Sequence, residues 1–282
     1  MSKLIAYLNL IRFFNPIGFW LLLWPGLWGL FLSENMDISY FTIVVLGSFL
    51  TRSLGCAIND IIDIQYDKKV DRTKNRPLAN GDLKIKDAFL LITILAAACL
   101  YLLSLTNTQT ICLVLFIAIP MIVIYPLMKR FIAVPQLFLG ATFGLSLPIS
   151  YSMAEGYISL EIIFLYIGCI FWILAYDSYY ALCDIEDDKK ISINSSPIFF
   201  GADTQKAIML FYGIFVLIIM MLAIQNNFEL MFIGILFLLY QGYFQNQLAK
   251  EGRNLEAFKS NSHVGLVIAI ILFMENQSGL YS

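Results

Sequence analysis

Nine apolar stretches divide the 282-residue chain, near 16–33, 40–58, 88–105, 110–127, 134–153, 160–180, 207–225, 229–248 and 264–280. Each is close to the ~20 residues that a helix needs to cross ~30 Å of hydrocarbon. A backbone placed there must satisfy its own N–H and C=O groups, which leaves helices and closed barrels. Barrel strands alternate apolar and polar residues, and runs such as "ITILAAACLYLL" and "GIFVLIIMMLAI" do not. Hydrophobic residues make up 60% of the chain and charged ones 13%. A soluble domain has ~45–50% and ~25%, so the excess is more than a water-facing surface absorbs. The reading is therefore an all-α, multi-pass membrane protein. Its first span is too long and too Trp-rich for a cleaved signal peptide.

Charge placement gives the sidedness. All 18 Lys and Arg fall before span 1 or in the segments between spans 2–3, 4–5, 6–7 and 8–9, with the adjoining span ends. Lys and Arg in short loops stay cytoplasmic, which predicts nine spans, the N-terminus inside and the C-terminus outside. Against these 18 stand 20 Asp and Glu, a net charge of −2, so nucleic-acid binding driven by bulk charge is excluded. Cys56, Cys99, Cys112, Cys169 and Cys183 form no CxxC pair and read as reduced packing residues.

Two inward segments are long, about 59–87 and 181–206, and both are rich in carboxylates. The first reads "NDIIDIQYDKKVDRTKNRPL". Asn59, Asp63 and Asp67 sit at i, i+4 and i+8, one face of a continuing helix, with Asp60 off that face. The second reads "YDSYYALCDIEDDKK", in which Asp177, Asp184 and Asp188 again share one helical face. Asp177 lies deep enough in span 6 to count as an intramembrane carboxylate, a functional candidate by default. Asp63 and Asp67 recur as Asp184 and Asp188 at an offset of 121 residues, a faint repeat of two four-helix halves plus one helix. A solvated collar of charge is the plainer explanation for one such cluster. Two clusters of matched spacing at the same membrane rim favour a site.

Like charges at i, i+4 repel, and a divalent cation offsets that. Oxygen ligands without His or Cys suit Mg²⁺, which commonly bridges one or two carboxylates to substrate phosphates. Arg72 and Arg76 follow the first cluster, and Lys129 ends span 4 in "YPLMK". Arg offers phosphate a planar fork and Lys a point charge. Positive-inside anchoring is their other reading, and it is preferred for Arg130. No GxxxxGK[ST] run is present, which argues against a nucleoside triphosphate. A lipid-tailed diphosphate fits a membrane cavity. Ionisation of an allylic diphosphate needs a dry pocket with aromatic faces. Trp20, Trp24, Tyr125, Tyr176, Tyr179 and Tyr180 are candidates among 23 Phe, 15 Tyr and 4 Trp. Arg52, seven residues before Asn59, lies on nearly the same face about 10 Å deeper. It pairs with a site carboxylate or holds the carboxylate of a second substrate. His263, the only histidine, is given no catalytic role.

These segments, in this order, resemble the UbiA-type intramembrane prenyltransferases, nearest to those that use 4-hydroxybenzoate. The resemblance rests on "NPIGFWLLLWPGLWGL", "CAINDIIDIQYD" with "DRTKNRPLANG", "YPLMKR", "PQLFLGATFGLSLPI", "WILAYDSYYALCDIEDDKKI" and "FKSNSHVGLV". It implies one intramembrane domain over 1–282, nine helices around a cavity open sideways to lipid, with site-bearing segments 59–87 and 177–206. It implies Mg²⁺-dependent transfer of a polyprenyl group from polyprenyl diphosphate to the ring carbon ortho to the hydroxyl of 4-hydroxybenzoate, in ubiquinone biosynthesis. By that resemblance Asn59, Asp63, Asp67, Asp177 and Asp184 surround the metal, with Asp188 beside them. Arg72, Arg76, Lys129, Tyr125 and Tyr176 hold the diphosphate, and Arg52 faces the aromatic acid. It further implies a bacterial or mitochondrial inner membrane, with the site on the cytoplasmic or matrix side. The chain departs from the pattern at Ser192 and Asn194, where the family often has "GIKS", and at Phe14-Asn15, where it often has an acidic-basic pair. Other acceptors (a naphthoate, homogentisate or haem) and, from another class, a cation transporter are the alternatives.

Overall fold

The computed structural model describes residues 2–68, 70, 73–190 and 193–279, and it is helical throughout, with no strand among the described residues. Of Lys129, Asp187 and Lys189 only the backbone is described, and Arg72 and Ser192 lie outside the described residues. The elements run α1 Lys3–Leu10, α2 Ile17–Phe31, α3 Ile38–Ile62, α4 Ile64–Asp67 and α5 Ile85–Ser104. Next come α6 Thr108–Leu113, a π turn over Val114–Ala118, α7 Ile119–Phe131, α8 Pro135–Gly144, α9 Ser146–Glu155 and α10 Leu160–Lys190. A short α11 Ser196–Phe200 precedes α12 Thr204–Asn226, α13 Glu229–Lys250 and α14 Asn254–Gly279.

All nine apolar stretches are helical, and the departures have local causes. Among the described residues seven segments are both long and apolar enough to cross a membrane, and Ile17–Phe31 is a shorter apolar helix. The C-terminal half of α13 reads "QGYFQNQ", which interrupts its apolar run. The fifth stretch is two helices, α8 and α9, parted at Leu145. Pro148 has no N–H to give the carbonyl of Gly144, four residues back. Pro120 leaves the same vacancy in the fourth stretch, and the backbone there adopts the π turn. The ninth helix begins ten residues earlier than the hydropathy predicts, so the exposed His263 sits inside α14 rather than beside it.

Helix ends follow the sequence. Asp37 caps α3 by accepting the Ser39 N–H at 2.6 Å, and these bonds hold its carboxyl below the usual carboxylate range. Asn107 caps α6 through the Thr110 N–H at 2.9 Å. Gly156, at φ 79°, ends α9 in the left-handed conformation that glycine adopts without strain.

The core lies where α2, α10, α12 and α14 meet. Trp28 and Trp172 are fully buried with ring centroids 4.9 Å apart, and Phe215 stacks on both. Their indole N–H groups are satisfied: Trp28 donates to the Gly265 carbonyl at 3.0 Å and Trp172 to Asn261 Oδ1 at 2.9 Å. The outside carries Leu90, Tyr101, Phe116, Val123, Ile233 and Leu236, all exposed. An apolar exterior of that extent suits hydrocarbon rather than water.

Candidate active site

α3 and α10 supply the two acidic segments. The extensive contacts of α3 are with α2 and α5, and those of α10 are with α8, α12 and α14. Arg52, on α3, shows what links them. Its guanidinium carbon stands 5.8 Å from the centroid of the Phe143 ring on α8, a cation–π contact. The same guanidinium lies against Gly18 of α2, where a Cβ would come within 2.6 Å of Nη2. It is also within electrostatic reach of Tyr176 on α10, together with Asp177 and Tyr125. Residues from α2, α3, α7, α8 and α10 thus converge on one place. The Arg52 side chain is half-buried.

Tyr176 is buried, and its hydroxyl has no hydrogen-bond partner among the described residues. Its ring packs edge-on against Trp172 and Phe258. A buried O–H without a partner is costly, which makes this hydroxyl a candidate contact for a bound ligand. Tyr180 also packs on Phe258, at 4.9 Å between centroids, and Tyr179 is buried in the core. Trp24 is buried and stacks on the partly exposed Trp20 at 5.3 Å.

The first acidic segment differs from its expected form. Asn59, Asp63 and Asp67 do not lie on one continuing helix. α3 ends at Ile62, Asp63 takes φ −93° and ψ 5°, and its N–H still reaches the Asn59 carbonyl at 2.8 Å. α4 follows, and the Asp67 N–H still donates to the Asp63 carbonyl at 2.8 Å. Asp67 is buried and paired with Arg76, whose Nη1 lies 2.9 Å from Oδ2 and 3.0 Å from Oδ1. Arg76 Nη1 also donates to Asp60 Oδ1 at 3.2 Å, and Arg12 Nη2 donates to the same oxygen at 2.6 Å. Asp60, off the face of the other three, is 1% exposed and accepts from both guanidiniums. An ion pair from a loop outweighs a helical stripe here, because a buried carboxylate is costly without a partner.

The second segment keeps its helix. α10 continues without a break to Lys190, and Asp177, Asp184 and Asp188 are half-buried along it. Past its end the Ser196 N–H donates to Gln136 Oε1 of α8 at 2.9 Å, and the Ser196 hydroxyl donates to Ser178 Oγ at 2.7 Å. The chain after α10 is thereby fastened beside Asp177. The repeat seen in the spacing is thus not a repeat of local structure.

Among the described residues no three Asp, Glu, His or Cys side chains are gathered into a metal cage. The oxygen donors are divided between α3–α4 and α10. Such a hard, oxygen-only set fits Mg²⁺ in its usual manner, sharing a few carboxylates with water and a ligand's phosphate. Sequence reasoning missed Arg12, Asp60, Gly18 and Phe143. Asp60 was visible beside Asn59, but nothing in the spacing ties it to Arg12 or Arg76.

Fold and site define an integral membrane protein of helices that carries two acidic segments and an arginine set among aromatic rings. Residues 22–270 match the UbiA prenyltransferase family, and the chain belongs to that family. It is 37% identical over 283 residues to a 4-hydroxybenzoate octaprenyltransferase of Francisella tularensis subsp. mediasiatica, covering 97% of this chain and 98% of that one. A protein of the same name from Polynucleobacter necessarius is 41% identical over 214 residues, 75% of this chain and 74% of that one. Among solved structures the apo UbiA homolog from Aeropyrum pernix K1 superposes with a TM-score of 0.80 at 23% identity, over 90% of this chain and 98% of that one. The Archaeoglobus fulgidus homolog bound to GPP and Mg²⁺ gives 0.74 at 18% identity, over 95% and 99%. Both share this fold.

Proposed function

We propose that the chain transfers a polyprenyl group from polyprenyl diphosphate to the ring carbon ortho to the hydroxyl of 4-hydroxybenzoate. The observation that carries the reading is the approach of Arg52 to Phe143 and to Tyr176, the residue before Asp177, from three helices, in a chain 37% identical to enzymes named for this acceptor. Asn59, Asp63, Asp67, Asp177 and Asp184, with Asp188 beside them, would hold Mg²⁺. Mg²⁺ held there would supply Lewis-acid polarisation of the departing diphosphate. Arg76, with Arg72, Lys129, Tyr125 and the unpartnered hydroxyl of Tyr176, holds diphosphate oxygens and receives the charge that develops there. The allylic C–O bond breaks and pyrophosphate leaves. The electron-rich ring carbon then forms the new C–C bond and releases its proton. Arg52 holds the acceptor's carboxylate, and Phe143 fixes the guanidinium plane from the other side.

The whole chain acts as one intramembrane domain of nine crossings. The Lys- and Arg-rich segments and the site face the cytoplasm at a bacterial inner membrane, or the matrix in a mitochondrion. In support of that orientation, every Lys and Arg lies on one alternate set of segments. Purified protein in nanodiscs, given labelled 4-hydroxybenzoate and a polyprenyl diphosphate, should yield a product of the summed mass less pyrophosphate. EDTA should abolish it and Mg²⁺ restore it. Product formed equally well in EDTA, or from a naphthoate and not 4-hydroxybenzoate, defeats the reading.

A further inference from the structure

We propose that Arg12 is a positioning residue for diphosphate binding, and that it acts by neutralising Asp60 so that Arg76 keeps its charge for the substrate. The inference rests on the reading of Arg76 as a diphosphate ligand. α1 lies across the inner ends of α3 and α5. Its Ala6 and Leu10 are buried with Ala57, Leu78, Leu83 and Ala88 in a small core of their own, and Lys3 pairs with Asp87 at 2.9 Å. Directly after α1, Arg12 adopts φ 60°, a left-handed conformation that a side chain other than glycine's rarely takes. That turn brings its guanidinium inward. Nη1 donates to the Asn9 carbonyl at 2.9 Å, at the last turn of α1, while Nη2 donates to Asp60 Oδ1 at 2.6 Å.

The four groups form an alternating row: Arg12, Asp60, Arg76, Asp67. Their formal charges cancel. Asp60 Oδ1 is shared by both guanidiniums, and Asp60 Oδ2 has no partner among the described residues. Nη1 makes all of the bonds from Arg76 to Asp60 and Asp67. Take Arg12 away and Arg76 alone faces two buried carboxylates. Its charge is then consumed by them, and an incoming diphosphate meets net repulsion. With Arg12 present, Asp60 anchors Arg76 without exhausting it. When the diphosphate displaces Asp67 as a partner, Arg76 stays tethered at Asp60.

The test uses the full-length protein in nanodiscs with Mg²⁺, and inorganic pyrophosphate as the probe in isothermal titration calorimetry. Arg12→Gln keeps a hydrogen-bonding group but removes the charge. It should raise the pyrophosphate Kd by roughly tenfold or more, because the row then carries one uncompensated negative charge beside the diphosphate, and leave the KM for 4-hydroxybenzoate unchanged. Arg12→Lys should stay within about threefold of the wild type, because the charge is retained. Arg12→Gln/Asp60→Asn should recover most of the lost affinity, since the carboxylate that needed neutralising is gone. An unaltered Kd in Arg12→Gln overturns the proposal, as does a double variant no better than the single. Loss of folded protein in the single variant alone would assign Arg12 a structural role and overturn it equally. Arg76→Gln separates the two readings. If it leaves the Kd unchanged, the diphosphate role of Arg76 fails first. If it raises the Kd while Arg12→Gln does not, only the role of Arg12 fails.

Discussion

The two acidic segments share a spacing and diverge in structure. Asp63 and Asp67 stand four apart, as do Asp184 and Asp188, yet the helix breaks at the first pair and runs on through the second. The residues on the C-terminal side of each pair account for this. Between Asp67 and Arg76 the Thr73 hydroxyl donates to the Asp67 carbonyl at 3.1 Å and the Arg76 N–H to the Thr73 carbonyl at 2.9 Å, and the Arg76 guanidinium meets the Asp67 carboxylate at 2.9 Å. After Asp188 come lysines and a stretch that is fastened to α8 and α10 through Ser196. The same spacing therefore sits on a broken helix paired to Arg12 and Arg76 in one segment and on an unbroken helix in the other.

Removing a proposed metal ligand from either half is the strongest way to break the comparison. Asp63→Ala and Asp184→Ala should each lower kcat/KM by roughly 10²-fold or more at saturating Mg²⁺, the scale seen when one group that stabilises developing charge is lost. Radiolabelled prenyl transfer checks this, and full activity of either variant would show that the two halves do not share a metal. A second comparison sharpens the structural difference. Asp67→Asn disrupts a buried pair and should cost about 1.5–3 kcal/mol, the worth of a hydrogen bond to a charged group. Asp188→Asn, on an unbroken helix, should shift the midpoint of thermal unfolding much less. Equal shifts would mean that the network around Asp60 contributes nothing particular.

Gly18→Ala probes the seat of the Arg52 guanidinium. A Cβ there meets the Arg52 guanidinium, and overpacking of this kind costs about 1–3 kcal/mol. The KM for 4-hydroxybenzoate should rise roughly tenfold or more, at ~1.4 kcal/mol per decade, with the KM for the prenyl donor unchanged. A rise confined to the donor would place Arg52 on the wrong substrate. The smallest effect belongs to Lys3→Ala. Its partner Asp87 lies at the surface and the Lys3 side chain is 63% exposed, so unfolding and activity should not change measurably.

Much of this was legible in the chain before folding. Apolar runs of fixed length and one-sided positive charge give the helices, because the bilayer tolerates little else. Pro148 and Pro120 mark interruptions in two of those helices, but hydropathy averages over them. Arg52 and Asp177 stand out in the sequence because a charge within an apolar run is expensive, and the structure brings Arg52 near Tyr176, the neighbour of Asp177. Arg12 and Asp60 were not readable as a pair. Forty-eight residues separate them, and only the docking of α1 brings them together. Gly18 was equally silent, for its role is the space that it leaves to a side chain from another helix.

The central claim is that both acidic segments grip one metal-bound diphosphate. Anomalous scattering from crystals soaked with Mn²⁺ and an unreactive thiolo analogue of the prenyl diphosphate tests it most directly. The account predicts manganese contacted by carboxylates of both the Asp63 and the Asp184 segments, with the analogue's phosphates between them and its tail toward Phe143. Manganese on one segment alone, with the diphosphate bound elsewhere, would contradict it.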